Sequence, residues 1–236
     1  MNENGKPRIA AIIPVGTLEG AKTRLGGSLD AEEREHLAEG FLARTVSAAL
    51  AVDGLEDVLV VSPDLEVLRR AAELGARTLR QHSHGLNAGL VEARADVIAG
   101  GAVAILVLPI DLPFVTAASV RAIIEPLATP GPAGGIPVGG NGEPSGDRES
   151  SNPGLGAPIV VLVTDRHGTG TNALALRPPD VIDFAFGVGS RGAHRAAAGG
   201  VGVAYLEVDS PLSIDLDTPD DLVFVESLAA EAIGVD

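Results

Sequence analysis

The sequence contains no cysteine, and lysine occurs at only two positions, Lys6 and Lys22. Without cysteine the chain can form neither a disulfide framework nor a thiolate metal site. Aromatic residues make up only 3% of the chain, which leaves few stacking platforms for single-stranded nucleic acid. Residues 1–8 contain no apolar signal segment, and no later apolar run is long enough to cross a bilayer. We therefore expect a cytoplasmic protein.

Acidic side chains outnumber basic ones, so the 236 residues carry a formal net charge of −15 at pH 7. The summed field would repel the phosphates of nucleic acid, so we expect no nucleic-acid partner. An anionic small substrate would need cations placed locally in its site. For the oligomeric state a homodimer is the default expectation.

Short aliphatic runs alternate with helical patterns along the chain. Six regions are typical of buried strands: Arg8–Ile13, Val58–Ser62, Arg77–Leu79, the start of Ile105–Phe114, Pro158–Val163 and Val203–Val208. Helices are predicted to begin within Ser28–Glu33, at Pro63-Asp64 and at Thr116. This rhythm indicates an α/β fold with a mainly parallel sheet, and at this length we expect one domain over residues 1–236.

One stretch, Thr129–Gly156, is dense in glycine, proline, serine and asparagine and has hardly an apolar side chain. Such a composition cannot bury enough apolar surface to order itself, so the stretch is predicted to be a flexible surface insertion inside the domain. The alternative is a lid over a ligand.

Asp111 stands between Pro109 and Pro113 at the end of the run ILVLPIDLPF. Ligands of open α/β sheets bind beyond the carboxyl ends of the strands, and a rigidly held carboxylate suits Mg²⁺ that carries substrate phosphates. Asp111 is therefore a candidate metal ligand. The alternative is that Asp111 caps the helix that starts near Thr116.

Three glycine-containing segments could bind an oxyanion. Pro14–Leu25 follows the first strand and ends in Lys22-Thr23-Arg24, where backbone N–H groups and two cations can converge on a polyphosphate. Gly168–Thr171 alternates glycine with threonine, and Gly187–Ser190 opens a helix with Arg191 beside it. Each segment has an ordinary structural alternative, namely a solvated connection, a flexible turn or a helix cap.

Asn87, Asp215 and Asp217 are also ambiguous. Asn87 stands at the head of a predicted helix and is either its N-cap or a reader of a base or sugar edge. Asp215 and Asp217 would share one face of an extended chain, which could place two carboxylates on one cation. The alternative for Asp217 or Thr218 is a helix start before Pro219.

Taken together, these segments resemble the nucleotidyltransferases of the nucleotide-diphospho-sugar transferase (GT-A-like) fold. The resemblance is closer to the guanylyltransferases of deazaflavin coenzyme F-420 biosynthesis, which join GMP from GTP to a three-carbon phosphoacid. It rests on PVGTLEGAKTRL at Pro14–Leu25, GLNAGL at Gly85–Leu90, LPIDLPF at Leu108–Phe114, GTGTNAL at Gly168–Leu174, FGVGSRGAHRAAA at Phe186–Ala198 and SIDLDTPDDL at Ser213–Leu222.

The resemblance implies a three-layer fold and a role for each matching residue. Lys22 and Arg24 would bind the triphosphate and, with Asp111, act in catalysis. The remaining implied roles are nucleotide binding by Pro14, Val15, Gly85, Asn87 and Gly89, Mg²⁺ binding by Asp111, Asp215 and Asp217, and phosphoacid binding by Thr171, Gly187 and Ser190. One position departs from the family, which commonly has a lysine where this chain has Gly16.

The implied reaction is the Mg²⁺-dependent transfer of GMP from GTP to phosphoenolpyruvate, 2-phospho-L-lactate or 3-phosphoglycerate, with release of pyrophosphate. Two alternatives remain. The chain could be another nucleotidyltransferase, such as a molybdopterin guanylyl- or cytidylyltransferase. It could also be a non-catalytic GTP-binding protein on the same fold, which the loss of the lysine at Gly16 makes conceivable.

Overall fold

A computed structural model describes residues 8–17, 28–128 and 156–233, with side chains described as far as residue 228. Lys22, Arg24 and nearly all of the predicted insertion 129–156 lie outside the described residues. The described strands are β1 (Ile9–Pro14), β2 (Leu55–Ser62), β3 (Arg77–Arg80), β4 (Ala104–Val107), β5 (Ile159–Thr164), β6 (Thr171–Arg177) and β7 (Ala204–Glu207).

These strands form one sheet in the order β3-β2-β1-β4-β6-β5-β7. The pairs β1–β2, β1–β4, β2–β3 and β5–β7 are parallel, whereas β6 runs antiparallel to both β4 and β5. The mainly parallel sheet predicted from the sequence is therefore confirmed. Because β6 runs in reverse, its first residues lie at the sheet edge where β1 and β4 end.

Helices cover both faces of the sheet. They are α1 (Ala31–Leu50), α2 (Leu65–Glu73), α3 (Leu86–Ala99), α4 (Ala117–Ala128), α5 (Ser190–Val201) and α6 (Pro219–Ile233). Alternate residues of β1 point to opposite faces, so Ile13 belongs to the apolar core that includes residues of α1, α2 and α4, while Ile12 belongs to the core that includes residues of α3 and α5. Two apolar cores separated by the sheet make the three-layer arrangement that the resemblance implied.

The predicted helix starts are confirmed, and the caps explain them. Asp30 and Glu33 form a reciprocal capping box at α1, and the Asp64 side chain caps α2. At α4 the hydroxyls of Thr116 and Ser119 accept hydrogen bonds from each other's backbone N–H groups. Asp111 is therefore not the cap of this helix.

Two details of the strands differ from the sequence prediction. Strand β4 ends at Val107, because Pro109 cannot donate a ladder hydrogen bond, and Asp111 follows four residues later. Strand β6 was not predicted at all, since its start reads as a glycine and threonine loop. Thr171 is consequently the first residue of a buried strand rather than part of a loop.

Arg177, at the end of β6, anchors the chain on both sides of residues 129–155. Its side chain is 2% exposed, and it donates to the carbonyl of Leu127 in the last turn of α4 and twice to the carbonyl of Ala157. A side chain at Gly156 would approach the guanidinium to 2.6 Å, so adding one would displace Arg177 from this position. Burial lowers the pKa of Arg177.

No helix among the described residues is both long enough and apolar enough to serve as a membrane span.

Candidate active site

A pocket of about 870 Å³ opens at the sheet edge where β4 ends and β6 begins. It is lined by the connection after β4, the loop before β6, the start of α5 and the segment before α6. The residues predicted to bind metal and phosphoacid all line it: Asp111, Thr171, Gly187, Ser190, Asp215 and Asp217. Side chains 106 positions apart along the chain therefore share one cavity.

Among the described residues, the pocket wall is strongly acidic. It contains six aspartates, at positions 111, 165, 215, 217, 220 and 221, against two basic side chains, Arg166 and His167. Arg166 is paired with Asp221 and lies over the ring of Phe224, so its charge is already partly balanced. An anionic substrate would be repelled from this wall unless further cations were bound.

Asp215 lies within electrostatic reach of two other carboxylates of the pocket, those of Asp111 and Asp217, and Asp111 has the larger effect. The backbone N–H of Leu216 donates to the carbonyl of Asp111 at 2.9 Å, which ties the segment before α6 to the end of β4. Burial and the charge of Asp111 raise the pKa of Asp215, and an Asn172 amide 3.4 Å from its Oδ1 only partly opposes them. Two mutually repelling carboxylates in a cleft suit a divalent cation.

The chemistry of this donor set fits Mg²⁺ only in part. No group of three or more acidic or histidine side chains that could hold a metal ion occurs in residues 8–17, 28–128 and 156–233. Mg²⁺ is commonly bound by one or two carboxylates and completed by substrate phosphates and water. Asp111 and Asp215 match that pattern, and the metal roles predicted for Asp111, Asp215 and Asp217 stay predictions.

The segment before α6 also contains its helix cap. Thr218 accepts a hydrogen bond from the backbone N–H of Asp221, and the Asp221 carboxylate accepts from the backbone N–H groups of Asp217 and Thr218. The cap predicted for Asp217 or Thr218 is therefore provided by Thr218. Burial alone would raise the pKa of Asp221, but these hydrogen bonds and Arg166 lower it.

In the same pocket, β6 presents Thr171 and Asn172, which are 8% and 7% exposed. The Asn172 amide donates to the carbonyl of Leu212 at 2.9 Å and so holds the chain that leads to Asp215. The Thr171 hydroxyl lies 3.1 Å from Nδ1 of His194 on α5. The reversed strand thus provides one polar side chain to the pocket and uses the next to brace the acidic wall.

The turn into α5 is built on glycines. Gly187 and Gly189 have φ angles of 129° and 73°, which side-chain-bearing residues rarely adopt. Gly189 is the N-cap, and no side chain caps the helix. The first helical residue, Ser190, is 2% exposed and lines the pocket. The predicted helix start is confirmed, and its positive dipole end meets the cavity.

Arg191 has a different role from the anion-binding one considered from the sequence. Its guanidinium makes a bidentate pair with Glu207 of β7, at 2.9 Å for both contacts, and donates to the carbonyl of Gly168 at 3.0 Å. The neighbouring Glu207 carboxylate raises the pKa of Arg191 and neutralises its charge. Arg191 therefore braces the loop before β6.

That loop is also held from inside by Asp165. Its carboxylate accepts from the backbone N–H and hydroxyl of Thr169, at 2.7 and 3.1 Å. A side chain at Gly170 would come within 2.7 Å of Asp165 Oδ2. The missing side chain at Gly170 therefore makes room for Asp165.

The predicted nucleotide-binding residues that the structure describes, Pro14, Val15, Gly85, Asn87 and Gly89, are not among those that line this pocket. Asn87 does not cap α3, because the N-cap is Gly85, with a φ of 88°. Instead, the Asn87 amide accepts from the backbone N–H of Phe186 at 2.9 Å and donates to its carbonyl at 3.0 Å. Asn87 therefore joins α3 to the segment that precedes Gly187 and Ser190.

Gly89 is similarly explained by packing. A side chain there would meet the Gln81 amide at 2.5 Å, and that amide donates to the carbonyls of Ser83 and Gly85. At the end of β1, which carries Pro14, the Val15 N–H donates to the carbonyl of Val61 at 2.9 Å. Nucleotide contacts of Pro14, Val15, Gly85, Asn87 and Gly89 stay predictions.

His194 is the main site residue that sequence reasoning missed. It is fully buried, with Phe186 in an edge contact at 5.2 Å between ring centroids. Its signal was present, because His194 follows Ser190 by four residues and residues so spaced share one face of a helix. That spacing placed His194 on the face that Ser190 presents to the pocket.

Because of His194, the free energy of unfolding is expected to decrease as the pH is lowered below 6.5. Burial lowers the pKa of His194 from 6.5 to about 4, so in this range the unfolded chain takes up the proton first. The contribution of neutral His194 to the free energy of unfolding is complete above pH 6.5, and each pH unit below 6.5 lowers that free energy by about 1.4 kcal/mol.

Urea unfolding of the wild-type chain and a His194→Gln variant at about pH 7.5 and about pH 5 measures this contribution. Between these values the wild-type chain should lose about 2 kcal/mol more than the variant. Equal losses in the two chains would show that His194 is not held neutral by burial.

Comparisons with known proteins agree with this geometry. The family model described as guanylyl transferase CofC-like matches residues 9–134. The phosphoenolpyruvate guanylyltransferase of Rubrobacter xylanophilus is 41% identical over 220 residues, which cover 93% of this chain and 94% of the relative. The enzyme of the same name from Sphaerobacter thermophilus is 37% identical over 94% of this chain and 93% of its own length.

A solved structure of a nucleotidyl transferase from Methanothermobacter superposes with a TM-score of 0.60. The match covers 95% of this chain and 99% of that one at 16% sequence identity, so the likeness concerns the fold. It confirms the nucleotidyltransferase fold that the sequence predicted. By its fold and by its near-full-length relatives, the chain belongs to the CofC-like guanylyl transferases and is a nucleotidyltransferase.

Proposed function

We propose that the protein transfers GMP from GTP to the phosphate of a three-carbon phosphoacid and releases pyrophosphate. Phosphoenolpyruvate is the acceptor that the names of the two relatives favour. The observation that carries the proposal is one cavity lined by the carboxylates of Asp111 and Asp215 and by the hydroxyls of Thr171 and Ser190. Cation-binding carboxylates and hydroxyl donors in one cavity suit the joining of two phosphorylated substrates.

In the proposed reaction a phosphate oxygen of the acceptor attacks the α-phosphorus of GTP. The bond between that phosphorus and the oxygen bridging to the β-phosphate breaks, and pyrophosphate leaves with the electron pair. A phosphate dianion is already a nucleophile, so no general base is needed and catalysis consists of positioning and charge screening. His194 agrees with this, because burial keeps it neutral and it is not among the residues that line the pocket.

The two groups of residues then have separate roles. Asp111, Asp215 and the third predicted ligand, Asp217, would hold Mg²⁺, which when bound screens the charge that develops on the phosphates. Thr171, Ser190 and the backbone at Gly187 would orient the phosphoacid. Lys22 and Arg24 would bind the triphosphate.

The setting of the reaction follows the same proposal. We infer a role in making deazaflavin coenzyme F-420, with soluble small-molecule substrates and no nucleic-acid partner. The cytoplasmic location and the homodimer expected from the sequence stay predictions. A molybdopterin nucleotidyltransferase and a non-catalytic GTP-binding protein are the competing functions that an activity assay separates.

The test is a panel assay of the purified full-length chain with Mg²⁺. GTP, ATP, CTP and UTP are each combined with phosphoenolpyruvate, 2-phospho-L-lactate or 3-phosphoglycerate, and pyrophosphate release and product mass are measured. We expect pyrophosphate and a GMP adduct only with GTP, and most rapidly with phosphoenolpyruvate. Release with CTP would favour another nucleotidyltransferase, and GTP binding without release would favour a non-catalytic protein.

A further inference from the structure

His194 is held at both ring nitrogens by groups from different parts of the fold. The backbone N–H of Ala185 lies 3.0 Å from Nε2, and the Thr171 hydroxyl oxygen lies 3.1 Å from Nδ1. The ring is completely buried beneath the edge of Phe186, whose backbone is fixed by Asn87. The orientation of the imidazole is therefore determined on three sides.

These contacts decide which nitrogen carries the proton. A backbone N–H can only donate, so Nε2 must offer its lone pair to Ala185. Because burial keeps the ring neutral, its single proton then lies on Nδ1. Nδ1 faces Thr171 and therefore donates to the hydroxyl oxygen.

A hydroxyl that accepts from Nδ1–H must point its own hydrogen elsewhere. Among the described residues, His194 is the side chain that bonds the Thr171 hydroxyl, and Thr171 also lines the pocket. We propose that His194 is a positioning residue that fixes the Thr171 hydroxyl as a hydrogen-bond donor toward an oxyanion of the acceptor. This inference rests on the proposed function, because it takes Thr171 to contact the phosphoacid.

A fixed donor has a consequence for recognition. A freely rotating threonine can turn its hydrogen in several directions, whereas accepting from Nδ1–H occupies one of the two lone pairs of this hydroxyl and directs its hydrogen away from His194. Phosphate and carboxylate oxygens only accept, so a hydroxyl hydrogen directed in this way suits an acidic acceptor. Preorganisation also removes the cost of orienting the hydroxyl when the acceptor binds.

Two substitutions at His194 separate its two contacts. The His194→Asn amide keeps a donor near the Nδ1 position but loses the acceptor for Ala185. The His194→Gln amide reaches the Nε2 position and keeps that acceptor but loses the donor to Thr171. Thr171→Val removes the hydroxyl itself, and His36→Gln, at an exposed position of α1, is the matched control.

Steady-state kinetics with GTP and phosphoenolpyruvate should resolve these roles. We expect His194→Gln and Thr171→Val to raise the acceptor KM about tenfold or more, the scale of one hydrogen bond to a charged group. His194→Asn should stay within about threefold of wild type, and the KM for GTP should change in none of them. The double variant with His194→Gln and Thr171→Val should have an acceptor KM no higher than that of Thr171→Val alone.

The ring protonation is measured independently by ¹⁵N–¹H NMR of the histidines in the full chain near pH 7. A proton on Nδ1 of His194 supports the inference, and a proton on Nε2 overturns it whatever the kinetics. Equal acceptor KM values for the Asn and Gln variants would also overturn it. A wild-type chain inactive with every acceptor would instead refute the proposed function, leaving the NMR result to decide the orientation of the hydroxyl.

Discussion

The Asp215→Asn variant is expected to lose about 10²–10³-fold in the rate of pyrophosphate release while melting at a higher temperature than the wild-type chain. The activity falls because an amide binds a divalent cation far more weakly than a carboxylate does. The stability rises because burial and the Asp111 charge both disfavour the Asp215 carboxylate. Asparagine keeps the shape of the side chain and its contact with Asn172.

Pyrophosphate release and thermal unfolding at about pH 7 without added metal measure the two effects. Asp220→Asn is the matched control, since Asp220 lines the same pocket, is exposed and undergoes the same charge change. It should retain near wild-type activity. If the Asp215→Asn variant kept near wild-type turnover, Asp215 would not be a metal ligand. If Asp111→Asn lost its activity in that case, the two carboxylates would have different roles.

Replacing Arg177 by methionine should lower the free energy of unfolding by about 3 kcal/mol. The change leaves the carbonyls of Leu127 and Ala157 buried without their donor, and each unsatisfied group costs about 1–3 kcal/mol. For a chain of this size, 3 kcal/mol corresponds to a melting temperature lower by roughly 6–12 °C. Urea unfolding and calorimetry measure the change.

Arg69→Met is the control for the loss of a guanidinium as such. Arg69 pairs with Glu66 and Glu73 on the exposed face of α2, where solvent screens the interaction. Its replacement should leave the unfolding midpoint unchanged within error. If both variants unfolded at the wild-type midpoint, Arg177 would not be the anchor of α4 and Ala157.

Much of the fold was predictable because its signals are local. Aliphatic runs such as the one in β1 are long enough to identify a buried strand, and Asp30 and Asp64 mark helix starts through caps made within three residues. The convergence of Asp111 and Asp215 was implied by the family resemblance, and both residues line the same pocket.

The remainder depended on contacts between distant parts of the chain. Strand β6 was missed because Thr171 follows two glycines, and its burial comes from the neighbouring strands β4 and β5. Asp165 was given no role, and Arg191 was considered as an anion-binding residue. Their partners, Gly170 and Glu207, are brought to them by tertiary structure, which the sequence does not display. Charged side chains that brace a loop and those that bind a ligand have the same appearance in a sequence.

The reversed direction of β6 also bears on how such an enzyme can evolve. One side of the cavity is encoded within residues 165–194, and the ends of β1 and β4 are encoded elsewhere. A gene duplicate could therefore accumulate changes in that short interval and leave the opposite side untouched. Divergence toward a new partner molecule would then require no rebuilding of the sheet, which makes this architecture a favourable starting point for paralogues.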